Sequence, residues 1–293
     1  MKLSIEIHSL RARFDDKTAI KMVKDAGFDA FDMSLYTYGD DKNLLGDDYL
    51  EKAYELKEYI DSLGIECNQA HAPFGIRYED FLAKGTEYTR LVRSIEFASI
   101  MGTKNIVIHA IKELPPKVDL KEFNYEFYKS FEPYCERFGI CVSVENLFNY
   151  DEHTRKFLPV FGDPAEHSAF IESLNSKRFN ICLDVGHSAI TGFEPAEVIR
   201  ALNSKQLKAL HIHDNNYHED QHLMPYSGRF DWDAITAALA EVGYNGDFTF
   251  EVLGFLDFVD TALLPAALKY AEETGRVLID KIARKRYNTS EGE

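Results

Sequence analysis

The chain has 293 residues, 45% of them hydrophobic, with 33 basic side chains against 49 acidic ones and a formal charge of -16. That length suits a single domain of α/β-barrel size, at roughly 250 residues. The charge disfavours a partner gripped through its phosphate backbone, because nonspecific nucleic-acid affinity comes from Lys and Arg neutralising phosphates. The opening MKLSIEIHSLRARFDD lacks the apolar stretch of a secretory signal, and no apolar run of about 18 residues could span a bilayer. A cytoplasmic protein with no membrane partner is therefore expected. Cys67, Cys135, Cys141 and Cys182 show no C-x-x-C spacing, so neither disulfides nor a thiolate metal site is expected.

In chain order, short β-branched runs alternate with longer segments of helical period. The predicted strands are LSIEI (3–7), AFDMSLY (30–36), IECNQAH (65–71), NIVIHA (105–110), CVSVENL (141–147), FNICLDV (179–185), LKALHIH (207–213) and FTFEVL (248–253). The helical segments between them keep one apolar stripe, as at Leu91, Ile95 and Ala98 or at Ile235, Leu239 and Val242. Gly27, Gly64, Gly102, Gly139 and Gly243 each close such a segment where a left-handed cap is wanted, and Thr86 and Asp231 read as N-caps. Long connections at about 148–162 and 214–230 follow strands, which places them as loops on the active-site face of a barrel.

Eight strand–helix pairs predict a (β/α)8 TIM barrel, a single α/β domain over 1–285 with 286–293 (RYNTSEGE) as a frayed polar tail. The preceding basic run KIARKR reads as a solvated helix terminus. An open doubly wound sheet would share the alternation, but its glycine-rich dinucleotide fingerprint and the phosphate-binding P-loop are both absent.

Nearly every predicted strand ends in a histidine or a carboxylate: His8, His71, His109, Glu145, Asp184, His211 with His213, and Glu251. Glu and Asp are depleted in strands and costly to bury unpaired, and no basic residue lies within these strand ends. Glu145, Asp184, His211 and Glu251 are accordingly predicted to hold one divalent metal ion. Three carboxylates with one imidazole suit Mn, Co, Mg or Zn, with open positions left for substrate oxygens. His8 and His213 are read as hydrogen-bonded core residues, and His153, His167 and His218 as solvated.

The motifs HAPFG (71–75), IVIHA (106–110), VENLF (144–148), CLDVGHSAITG (182–192), HIHDN (211–215), the D-x-H of Asp220 and His222, and FEV (250–252) resemble the xylose isomerase-like barrels over almost the whole chain. That superfamily includes ketose 3-epimerases, inosose dehydratases, hydroxypyruvate isomerases and endonuclease IV-type apurinic-site nucleases. Resemblance to the epimerase branch implies that Glu145, Asp184, His211 and Glu251 hold the metal, that Glu145 and Glu251 are the catalytic acid and base, and that His187 contacts the substrate. Those epimerases place an arginine six residues after the metal histidine, where this chain has Tyr217.

Resemblance to the nuclease branch implies nine ligands for three zinc ions: His71, His109, Glu145, Asp184, His187, His211, Asp220, His222 and Glu251. Against nucleic acid stand the net charge and the acidic YTYGDDKNLLGDDY after the second strand. The expected function is thus a divalent-metal-dependent isomerase or epimerase acting on a small sugar or sugar phosphate. In it His71, His109, His187, Asp220 and His222 would serve substrate binding, and Phe74, Phe148 and Trp232 would form apolar walls. An apurinic-site nuclease and an inosose dehydratase-like lyase are the alternatives, and assembly into a homo-oligomer stays open.

Overall fold

The computed structural model describes residues 1–36 and 43–290. The first half of the chain runs β1 (Leu3–Glu6), α1 (His8–Arg11), α2 (Asp16–Ala26), β2 (Ala30–Ser34), α3 (Tyr49–Leu63), β3 (Glu66–His71), α4 (Tyr78–Ala83), α5 (Thr86–Ile100), β4 (Asn105–Ile108), α6 (Leu120–Lys129) and α7 (Glu132–Phe138). The second runs β5 (Cys141–Glu145), β6 (Leu147–Asp151), β7 (Lys156–Val160), α8 (Pro164–Ser173), β8 (Phe179–Asp184), α9 (Val185–Ile190), α10 (Pro195–Ala201), β9 (Leu207–His211), α11 (Trp232–Glu241), β10 (Phe248–Phe250), α12 (Leu253–Leu256) and α13 (Leu264–Ser290).

Eight strands pair in parallel in the order β10-β1-β2-β3-β4-β5-β8-β9. Ile212 draws the two edges together: its N–H donates to Thr249 O at 2.9 Å, and its carbonyl accepts from Glu251 N at 3.0 Å. The chain is a TIM barrel. Each of the eight predicted strands is present, and nearly all end one to three residues earlier than expected, because the last residues turn outward into the loops of the C-terminal mouth. Among the described residues no helix is long and apolar enough to cross a membrane.

Local chemistry explains the boundaries. Asp15, Asp119, Asp163 and Asp231 each accept a backbone N–H from the first turn of the helix that follows. Thr86 does not cap α5 as expected; Gly85 holds the extended cap position and Thr86 is already helical. The five predicted cap glycines all have positive φ, from 61° at Gly64 to 104° at Gly27.

Two elements depart from the sequence reading. The segment expected as a loop at 148–162 contains the antiparallel hairpin β6–β7. The tail expected to fray from 286 continues α13 to Ser290. There the basic run lies against α11: Lys281 pairs with Asp233 at 2.8 Å, and Arg286 donates to Tyr244 O. Residues 37–42 of the acidic connection after β2 fall outside the described residues, which resume at Asn43.

Period two in the strands sorts the barrel interior into layers. At the N-terminal end polar side chains bond one another: Ser4 to Thr249 at 2.7 Å, Ser143 to Asn180 at 2.6 Å, and Asn180 to Asn105 at 2.8 Å. Val107, Cys182 and Ala209 form a small apolar plug above them. One step further along each strand lies the third layer, which contains the ionisable residues.

Candidate metal centre

Glu145 ends β5 and Asp184 ends β8, and the register of β8 with β9 sets Asp184 opposite His211. Glu251 follows β10 directly. These four side chains are buried, and each offers a ligand atom within 4.8 Å of the others. His211 Nδ1 is the meeting point, 3.1 Å from Glu145 Oε1, 3.3 Å from Glu251 Oε2 and 4.0 Å from Asp184 Oδ2. One ring nitrogen can donate at most one proton, so it cannot satisfy three carboxylates. Glu145 Oε2 and Glu251 Oε2 are buried without a hydrogen-bond partner.

Three further groups adjoin the first, one of them His213 and His222 with Glu251. His71 Nε2 and His109 Nε2 lie 3.0 Å apart, and Glu145 Oε2 is 2.9 Å from His109 Nε2. On the other side Asp220 Oδ2 is 3.5 Å from His187 Nε2 and 3.2 Å from His222 Nε2. Backbone carbonyls fix three of these rings: His71 Nδ1 donates to Ala72 O, His187 Nδ1 to Asn146 O and His222 Nδ1 to Glu251 O, each at 2.9 Å. A carbonyl only accepts, so Nδ1 carries the proton and, in the neutral ring, the Nε2 lone pair points into the cluster. This is the way proteins orient imidazoles toward metal ions.

His187 owes its place to Asp184, whose carboxylate caps α9 by accepting the His187 N–H at 2.6 Å. Between them Gly186 is required by close approach, since a Cβ there would stand 1.9 Å from His213 Cε1. His213, expected in the core, is fully buried, with Nε2 at 3.1 Å from both Asp184 oxygens, and its ring stacks on His222 at 3.9 Å.

The electrostatics are those of a site built around positive charge. Burial alone would raise Glu145 and Asp184, but neighbouring imidazoles outweigh it. Beside His211 and His109, Glu145 falls well below the usual carboxylate range; beside His187 and His213, Asp184 sits at about 2. Burial raises Glu251, with Glu145 and Asp184 adding to it. Against their own burial, the surrounding carboxylates hold His187 well above the ordinary value and lift His222 to about 10, and Cys182 with Glu251 and Glu145 holds His211 well above it. Protons on these rings occupy the positions where a cation would balance the same carboxylates. A hard or borderline divalent ion fits this donor set and would engage the orphaned oxygens of Glu145 and Glu251.

Two buried carboxylates of this layer escaped the sequence reading. Asp32, on β2 just after a register shift, lies 3.7 Å from His211 Nε2 and accepts from Gln69 Nε2 at 2.6 Å. Glu6, on β1, accepts from Ser34 Oγ, from Tyr36 OH at 2.9 Å and from His8 N at 3.0 Å; burial, then Asp32, raises it to about 8. The rule that singled out Glu145 and Glu251, a carboxylate within a strand, applies equally to LSIEI and AFDMSLY.

Other expectations need correction. Trp232 is no wall of the site: it is core, its Nε1 donating to Asp214 Oδ2 at 2.8 Å. His167 is buried rather than solvated, because it faces inward from α8 toward the β5 backbone, and burial lowers it to about 4. His153 and His218 are exposed. Tyr217 donates to Glu194 Oε2 at 3.0 Å on an exposed stretch of its loop. Phe74 and Phe148 do stand at the mouth, Phe74 stacked on His109 at 5.3 Å and Phe148 edge-on to His187 at 5.0 Å.

Among solved structures the chain resembles a D-tagatose 3-epimerase-like protein (TM-score 0.75, 21% identity, 97% of this chain and 99% of that one) and the Escherichia coli 3-keto-D-glucoside 4-epimerase (0.70, 21%, 94% and 99%). It also resembles a zinc-bound IolI protein (0.72, 17%, 97% and 99%). At such identities the likeness establishes the fold. Among curated sequences, an uncharacterized protein of Sinorhizobium fredii is 29% identical over 55% of this chain and 51% of its own length. One of Methanocaldococcus jannaschii is 27% identical over 57% and 56%. The chain thus spans about half the length of the curated relatives it matches. The profile of the xylose isomerase-like TIM barrel family matches residues 20–274, and the chain belongs to that family.

Proposed function

We propose that the protein is a divalent-metal-dependent sugar isomerase or epimerase that moves a proton at a carbon next to a carbonyl. The observation that carries this reading is the convergence of Glu145, from β5, and Glu251, just past β10, on His211 Nδ1, with a carboxylate oxygen of each left without a hydrogen bond. A divalent ion held by Glu145, Asp184, His211 and Glu251 would supply Lewis-acid stabilisation of the enediolate. The two glutamates then face the reacting carbons from opposite sides, one taking the proton and the other returning it. His71 and His187 orient hydroxyls, and Phe74 and Phe148 shield the carbons from water. The sugar epimerases among the structural neighbours support the substrate class.

Incubation of ketoses and ketose phosphates in D₂O with Mn²⁺ should place deuterium next to the carbonyl, at C3 for an epimerase or C1 for an isomerase, and Glu251→Gln should suppress it. Product formed without solvent label would point to hydride transfer and leave both glutamates as ligands only.

A second reading, hydrolysis of a phosphoester at three zinc ions as in apurinic-site nucleases, is favoured by two of the adjoining groups, His71–His109–Glu145 and His187–Asp220–His222. Elemental analysis separates the two: one ion per chain supports the isomerase, three the hydrolase. Robust incision of abasic-site DNA by zinc-loaded protein would put hydrolysis ahead of isomerisation.

A further inference from the structure

The geometry points to Lys112 as the residue that receives a phosphate substituent of the substrate, so that the sugar handled at this site is phosphorylated rather than neutral. The inference rests on the isomerase reading above and narrows its substrate class. Lys112 lies in the connection between β4 and α6, beside the mouth of the barrel. Its backbone is anchored: the buried Asn124 amide accepts from Ile111 N at 2.9 Å and donates to Ile111 O at 3.0 Å. The side chain is half-buried, with Nζ donating to Phe148 O at 2.7 Å and lying 5.2 Å from the Phe148 ring centroid. That same ring meets the His187 ring at 5.0 Å, so the ammonium stands one side chain away from the candidate ligands.

An ammonium has three N–H donors, and the Phe148 carbonyl uses one. No described carboxylate forms an ion pair with Lys112, although its charge is felt by Glu145 and Asp220; burial lowers its pKa while those two and Glu113 oppose the fall. Once the carboxylates of the site are engaged by a divalent ion, the remaining donors of Lys112 face the substrate. Two other described cations are already used or face outward. Arg11 is buried against Asp16 at 2.6 Å and Ser34 O, and Arg155 is exposed at the hairpin turn. A fixed, partly desolvated ammonium discriminates an anion from a hydroxyl strongly, because a charge-assisted hydrogen bond is roughly twice as strong as a neutral one. Its bond to the Phe148 carbonyl, with the Phe148 ring between it and His187, assigns it to a substituent and not to the reacting carbons.

The test is calorimetric binding to the Mn²⁺-loaded full chain of two matched pairs, D-fructose with D-fructose 6-phosphate and D-ribulose with D-ribulose 5-phosphate. In at least one pair the phosphorylated member should bind at least about tenfold more tightly. Lys112→Met, which keeps the aliphatic stem against Phe148, should bring the ratio to within about threefold, and Lys112→Arg should largely restore it. Equal affinity within both wild-type pairs, or a preference that survives Lys112→Met, overturns the inference. Its failure is distinguishable from that of the isomerase reading. Solvent-label exchange on neutral ketoses without any phosphate preference sinks the Lys112 assignment alone. A Lys112-dependent preference without label exchange upholds the assignment while the isomerase reading falls.

Discussion

Asp32 lies 3.7 Å from His211 Nε2, on the side of the ring opposite the three carboxylates, where this nitrogen has no hydrogen-bond partner and Asp32 is the carboxylate nearest to orienting it. Carboxylates in that place fix the tautomer and orientation of a ligating histidine, and their loss typically costs 10–100-fold in metal affinity. Asp32→Asn is therefore expected to weaken Mn²⁺ binding by about tenfold or more in calorimetry. Unchanged affinity in a folded variant would reduce Asp32 to packing. Glu6 gives a pH signature. Its folded pKa of about 8 exceeds the ordinary 4.5, so between those values the folded chain keeps a proton that the unfolded chain gives up. Stability contributed by this group is present below the lower value and is lost as pH rises through the upper one. Glu6→Gln should shrink the drop in melting temperature between about pH 5 and about pH 8.5, and an undiminished drop would show that the carboxyl is already ionised. Glu145 and Glu251 were legible in the sequence because each stands in an apolar strand. Glu6 and Asp32 obey the same logic but belong to none of the motifs that drew attention.

The elements that place the site are short, and their geometry leaves little slack. Helix α9 begins directly after Asp184, the last residue of β8, and Gly186 lets it pass against the His213 ring. Gly186→Ala must displace that ring or the helix that presents His187. The expected result is a loss of about 1–3 kcal/mol of stability together with weakened metal binding. A variant that matches the wild type in both measurements would show that the contact relaxes freely. The hairpin β6–β7 was invisible to strand patterning for a physical reason. Pro159 sits within it opposite Phe148, and the ribbon is largely exposed, so neither alternation nor a continuous apolar run marks it. The eight barrel strands were legible because parallel strands covered on both faces read as continuous apolar runs, and because a glycine in the left-handed region ends most of the helices before them. Boundaries were less legible, since the same residues that extend a strand on paper, such as His109 and His213, turn into the mouth in space.

At the scale of the whole molecule, the barrel stacks a polar floor, an apolar plug and an ionisable layer, and only the last is open to chemistry. Closure of the ring brings residues as far apart as Glu6 and Glu251 into one electrostatic unit. In that unit protons and a divalent ion compete for the same donors. Since Cys182, Glu251 and Glu145 hold His211 well above its ordinary value, an ion bound to its ring must displace a proton at neutral pH. Metal affinity should accordingly rise with pH, by about tenfold per unit for each proton released; a flat profile between about pH 6 and about pH 8 would mean that the rings are neutral before the ion arrives. Glu145 belongs both to the central group and to the one with His71 and His109, as Glu251 belongs both to the central group and to the one with His213 and His222. The metal centre is therefore best probed by calorimetric titration of chelator-stripped protein with Mn²⁺, wild type beside Glu145→Gln, with circular dichroism to verify folding. One tight ion per chain is expected in the wild type, and loss of tight binding in the folded variant. A wild type that binds no divalent ion, or a variant that binds it equally well, would contradict a metal centre built on these four side chains.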